Sequence, residues 1–161
     1  MIDKTRTPSP GMPASQADLA GIIGYTLANR TMLSAEIGPF MTLPPFQRTH
    51  VTTHAIGLIC QYALDLPSQG GLGLRRLQYH TDVANALSQR VAQRTGFQLE
   101  AVLKWDRVVP ADRESHNGIP LREGDAKPGT LGRHTVVMSL CWEEWEAGVR
   151  EKLLQQMERR I

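Results

Sequence analysis

Three groups of residues have types and spacings that could do chemistry. The first is the run Phe46-Gln47-Arg48-Thr49-His50-Val51-Thr52-Thr53-His54-Ala55. Thr49 can cap a helix starting beside it. A helix N-terminus presents unpaired N–H groups and a partial positive charge, which together seat a phosphate. Thr49, Thr52 and Thr53 add hydroxyls, and Arg48 adds a fork-shaped cation. An ordinary capped helix explains the same residues, and spacing alone does not choose. The second group is Asn85 with Ser88, three residues apart and so on one helical face. A helix start with two polar residues is the competing reading. The third is Glu36, flanked by Ala35 and Ile37. On a strand its carboxylate points away from both neighbours, toward solvent or toward a reacting group. Cys60 lies mid-helix among apolar residues and is a poor nucleophile.

These side chains need elements to hold them. Residues 19–28 and 34–41 suit two strands around a turn at Asn29-Arg30-Thr31, an antiparallel hairpin. Gly24 and Gly38 are candidate bulge positions. Pro44-Pro45 ends the second strand. Val51, Ala55, Leu58, Ile59 and Tyr62 form one apolar stripe on a helix running to Leu64, with Thr49 as its cap. Leu74, Leu77 and Tyr79 open a further strand, and Thr81 or Asp82 can cap the helix after it. Gly96 suits the left-handed position past that helix's end. Phe97, Leu99, Ala101 and Leu103 then alternate as a half-buried strand does. A polar loop with several Gly and Pro follows at about 110–133, a length often tied to function. Val136, Met138 and Leu140 make a last strand, and residues 142–159 a last helix, which Trp142 and Trp145 are expected to pin to the sheet. Trp105 is expected either to pack at its strand end or to meet substrate. His54 and His80 read as structural. Strands joined by helical crossovers give an α/β (α+β) fold with a mixed central sheet flanked by helices.

The chain has 161 residues, 41% of them hydrophobic, 21% charged, with a net charge of +2. That length suits one domain, expected over residues 18–161. Residues 1–17 hold Pro8, Pro10 and Pro13 and read as a disordered tail. The small positive charge gives no concentrated basic face for nucleic acid. No apolar run reaches the ~20 residues of a membrane span, and the start lacks a secretory apolar core. No C-x-x-C or H-E-x-x-H spacing supports a metal. Cys60 and Cys141 read as buried free thiols, and a cytoplasmic or nuclear setting is the default.

The run N-x-x-S-x-x-x-x-x-x-x-G-F, from Asn85 through Ser88 to Gly96-Phe97, followed by a strand, resembles the acetyl-coenzyme A half of GNAT-type N-acetyltransferases. It looks closest to the branch that acetylates protein N-termini, of the ribosomal-protein type, and its fungal relatives. The resemblance implies acetyl-CoA as co-substrate and transfer of its acetyl group to a primary amine by direct attack. It implies that Gln47, Arg48, Thr49, His50, Val51, Thr52 and Thr53 form the pyrophosphate loop. Gln47 fits the first position of the pattern Q/R-x-x-G-x-G/A, while His50 and Thr52 stand where small residues are usual. It implies that Asn85 holds the pantetheine arm and that Ser88 protonates the departing thiolate. The tyrosine usual four residues further on is here Ala92. It implies that Glu36 is the general base.

Members of that family begin with a strand, two helices and a further strand before such a hairpin, and this chain has only residues 1–17 there. The expectation is an N-terminally truncated GNAT-like fold with an exposed sheet edge that a second copy could pair with. The acceptor stays open among a protein N-terminus, a lysine, a polyamine and a small amine. Two further readings stay open: a truncated, catalytically weak or inactive relative that binds coenzyme A or a protein partner, and an unrelated binding function on a similar scaffold.

Overall fold

The structure is a computed structural model, and it describes residues 1–5 and 19–158. The elements run β1 (Gly21–Asn29), β2 (Ser34–Thr42), α1 (His50–Leu64), β3 (Arg76–Asp82), α2 (Ala86–Arg94), β4 (Gln98–Pro110), β5 (Thr130–Cys141), a helical stretch Trp142–Val149 and α3 (Arg150–Glu158). Five strands lie in one mixed sheet in the order β1-β2-β3-β5-β4. The expected α/β class and element order are those observed. Two compact units divide the chain, one of Met1–Leu77 with Cys141–Ile161, the other Gln78–Leu140.

In the first unit β1 and β2 pair antiparallel, as the two apolar runs around Asn29 predict. The Asn29 side chain closes the turn by accepting from the Met32 N–H at 3.0 Å. The register shifts between Ile23 and Tyr25, so a bulge lies where Gly24 and Gly38 stand. Residues 1–5 correct part of the expected tail. Ile2 bridges Leu19, and the Met1 ammonium donates to Gly21 O at 2.7 Å. The rest of that expectation falls on residues outside the described ones.

α1 corrects the expected stripe. Its buried residues are Val51, Ile56, Gly57, Cys60, Ala63 and Leu64, whereas Leu58 is 60% and Tyr62 53% exposed. The helix is apolar on most of its circumference, so periodicity alone cannot choose a face. Small residues choose it, because they allow close approach. A Cβ at Gly57 would lie 2.2 Å from Met157 Sδ of α3. The larger stripe, with Ile23 and residues 1–5, lines a half-open apolar cavity of about 560 Å³. The Tyr25 hydroxyl donates to Ile59 O and ties β1 to α1.

Trp145 is buried and donates through Nε1 to Asp65 Oδ1 at 2.8 Å. Arg150 grips the same carboxylate through Nε and a terminal nitrogen at 2.9 and 3.0 Å. Burial alone would raise the Asp65 carboxyl, but the hydrogen bonds from Arg150 and Trp145, with the Arg150 charge, outweigh it and hold it below its ordinary range. Trp145 therefore pins the terminal helices to the end of α1. Trp142 was expected to share that task but is exposed.

In the second unit β4 and β5 pair antiparallel, with β5 beginning at Thr130, so the connecting loop is shorter than expected. β4 is an edge strand, and only Val109 on it is buried. Its alternation was read as a half-buried face. A pattern of that kind predicts burial only where a second layer covers the strand. The inward residues here are Tyr79, Ala92, Phe97 and, on β5, Val136, Met138 and Leu140.

Candidate functional site

In the first unit, the chain leaves β2 through a 3₁₀ turn at Pro44–Phe46 and enters α1. Gln47 Nε2 donates to Thr42 O at 3.1 Å and ties the loop to the strand. Arg48 takes a left-handed backbone, φ 61°, which turns the chain into the helix. Thr49 is the N-cap, as its position predicts. Its hydroxyl donates to Phe46 O at 2.6 Å and accepts from the Val51 N–H at 3.3 Å. The Thr52 and Thr42 hydroxyls share a hydrogen bond at 3.1 Å. Two of the hydroxyls expected to face phosphate are thus engaged within the protein. Val51 is buried with Ala20 and Phe46 and anchors the first turn. Thr53 is half-buried.

The group most at variance with a phosphate seat is Asp3. Its buried carboxylate lies 3.4 Å from His50 Nε2 and accepts from the Thr5 N–H and hydroxyl. The His50 ring meets His54 edge-on at 5.0 Å, and His54 Nδ1 lies 2.9 Å from His50 O. His50 stands where the family pattern has a small residue, yet its backbone is ordinary helix. Donor chemistry at this end still fits a pyrophosphate: a fifteen-residue helix opens toward it, beside Arg48 and His50.

Glu36 lies on β2, half-buried, between the buried Ala35 and Ile37 on the opposite face. Its register partner on β1 is Thr26. The alternation of the strand therefore places it as read from the sequence.

In the second unit, β3 runs to Asp82, so neither Thr81 nor Asp82 caps the next helix. Asn85 does. Its Oδ1 accepts from the Ser88 N–H at 3.0 Å. The carboxylate of Asp82 instead shapes the turn before the cap, accepting from the Ala84 N–H at 2.9 Å and the Ser115 hydroxyl at 2.6 Å. Asn85 and Ser88 are thus brought together, one as cap and the other in the first turn. Gly96 has φ 102° and ends the helix as predicted.

The sequence reading missed Tyr79. Its hydroxyl lies 2.8 Å from Ser88 Oγ, and its ring packs against Phe97 with centroids 5.7 Å apart. Burial raises its pKa, which the Ser88 bond partly offsets. The signal was a tyrosine on the inward face of an alternating strand, since a buried phenol needs a partner. Ala92, where the family's tyrosine is usual, is fully buried.

Neither cysteine competes for a chemical role. Cys60 is buried and its thiol is pushed far up by that burial. Cys141 was read as buried and is half-buried. Burial raises its thiol as well, with help from Glu144 and against the pull of Arg76.

The acetyltransferase (GNAT) domain matches residues 11–98, more than half of the chain. The chain belongs to the GNAT acetyltransferase family. Solved structures share the fold. A GCN5-related N-acetyltransferase from Brucella melitensis is 24% identical, with TM-score 0.68, over 89% of this GNAT chain and 53% of that one. A probable acetyltransferase of the GNAT family from Chromobacterium violaceum is 28% identical, with TM-score 0.58, over 77% and 50%. A spermidine N-acetyltransferase mutant from Vibrio cholerae is 18% identical, with TM-score 0.60, over 81% and 63%. This GNAT chain thus spans about half the length of the first two. No curated protein matches it. The family match runs through both the Gln47–Thr53 loop and the Asn85–Ser88 turn.

Proposed function

We propose that the chain transfers an acetyl group from acetyl-CoA to a primary amine by direct attack. The observation that carries the reading is the family match across residues 11–98, which holds both candidate binding elements. Acetyl-CoA supplies the thioester. The first turn of α1, with Arg48 and His50, holds the pyrophosphate. Asn85 holds the pantetheine arm. Glu36 takes the amine's proton, directly or through one water, as the nitrogen bonds to the carbonyl carbon. Backbone N–H groups of β2 polarise that carbonyl. Ser88 donates a proton to the sulfur as the carbon–sulfur bond breaks and regains one from solvent, while Glu36 releases the amine's proton to solvent, so the products are the N-acetylated amine and the free thiol. The acceptor is an amine on a protein N-terminus or a small molecule, in a cytoplasmic or nuclear setting. Two copies associate through a sheet edge.

A second reading has its own observation. Asp3 sits against His50, and Thr49 and Thr52 bond within the protein. These favour a relative that binds coenzyme A weakly and turns over little. Calorimetric titration with acetyl-CoA and coenzyme A, followed by thiol release with spermidine or an N-terminal peptide as acceptor, separates the two. Saturable binding with amine-dependent thiol release supports transfer. Binding without release supports the second reading, and no binding by folded protein overturns both.

A further inference from the structure

We infer that Tyr79 is a positioning residue that aims the Ser88 hydroxyl at the coenzyme sulfur. The inference rests on the acetyl-transfer reading and deepens it by one residue. Tyr79 reaches Ser88 from β3, nine residues earlier in the chain, at 2.8 Å. Tyr79 is 4% exposed, and Ser88 is half-buried in the first turn of α2. Either oxygen could donate on geometry alone. Chemistry decides between them. A phenol is a better donor and a poorer acceptor than an alcohol, because its lone pair is delocalised into the ring. Burial keeps Tyr79 protonated across the neutral range. Tyr79 therefore donates, and Ser88 accepts.

That direction has a consequence for Ser88. A serine hydroxyl has one hydrogen and two lone pairs. With one lone pair taken by Tyr79, its own hydrogen is left for another acceptor. A free serine rotates among three staggered positions and commonly bonds back to its own helix carbonyls. Among the described residues, Tyr79 is the partner found for the Ser88 hydroxyl. The bond restricts the rotor and also polarises the hydroxyl, since paired hydrogen bonds strengthen one another. Both effects make Ser88 a better donor to a leaving thiolate. Tyr79 itself loses no proton in the step. It touches neither the acetyl group nor the sulfur.

The test compares binding of coenzyme A and desulfo-coenzyme A, which lacks the sulfur, by calorimetry at about pH 10, where an alkyl thiol less acidic than cysteine is largely thiolate. The readout is the ratio of the two dissociation constants, which a merely structural role would not move. Wild-type protein is expected to favour coenzyme A by about tenfold, the worth of one charge-assisted hydrogen bond. Tyr79→Phe, with melting temperature as a folding check, is expected to reduce the ratio to below about threefold. In a Ser88→Ala background, Tyr79→Phe is expected to change nothing further. An unchanged ratio in Tyr79→Phe, with the ratio lost in Ser88→Ala, overturns the role of Tyr79 and leaves that of Ser88. Equal affinity for both ligands in wild type overturns both roles. No binding of either ligand overturns the acetyl-transfer reading and this inference with it.

Discussion

Trp145 Nε1 donates to Asp65 Oδ1 at 2.8 Å across eighty residues of chain. The bond joins the end of α1 to the first turns of the terminal helices, and Arg150 closes the same carboxylate from the other side. Removing the acceptor leaves a buried indole N–H and a half-exposed guanidinium without it. Asp65→Ala is expected to lower unfolding free energy by about 2 kcal/mol, because groups left unsatisfied cost more than the bond gained. The corresponding drop in melting temperature is about 4–8 °C. Chemical denaturation of both proteins checks it.

The same carboxylate predicts a pH dependence. Its folded pKa lies below its unfolded one. Its contribution is therefore complete above the ordinary carboxylate pKa of about 4 and fades as pH falls toward the depressed folded value. Wild type is expected to exceed Asp65→Asn in stability at pH 7 and to lose that advantage on acidification below about pH 4. Denaturation midpoints of the two proteins across pH 3–7 show whether the gap closes.

Asn85 has two roles to separate. As N-cap it contributes about 1 kcal/mol to α2, and Asn85→Ala should lose that stability. Asn85→Asp keeps a capping oxygen but cannot donate. If the side chain also holds the pantetheine arm through its N–H, Asn85→Asp is expected to keep its melting temperature and lose several-fold in coenzyme A affinity. Equal affinity by titration would confine Asn85 to capping.

Asp3 opposes an anion at the start of α1. Asp3→Asn is expected to tighten coenzyme A binding by about 2–5-fold, the scale of one charge at a helix terminus, at slight expense of stability. The gain should shrink at high salt. Titrations at low and high ionic strength measure both.

Glu36 faces away from Ala35 and Ile37 on β2. As the general base, Glu36→Gln is expected to lower kcat by about 100-fold or more with coenzyme A affinity unchanged. Steady-state kinetics beside calorimetry tests this, and an unchanged rate removes Glu36 from the mechanism.

Local signals in the chain sufficed for much of the fold. Asn29 and the flanking apolar runs specify the β1–β2 hairpin, Thr49 specifies where α1 begins, and Gly96 specifies where α2 stops. Each depends on neighbours within a few residues, so sequence alone determines it. The spacing of Asn85 and Ser88 likewise put both at the start of one helix. Which face of α1 is buried depended instead on Met157, one hundred residues away, fitting against Gly57. Which strand lies bare depended on sheet order, and so β4 is exposed despite its alternation. Tyr79 meeting Ser88, Asp3 meeting His50 and Trp145 meeting Asp65 are contacts between separate elements. Chain spacing carries no record of such contacts, because they arise when packed surfaces leave one hydrogen-bonding group facing another. Tertiary structure alone decided them.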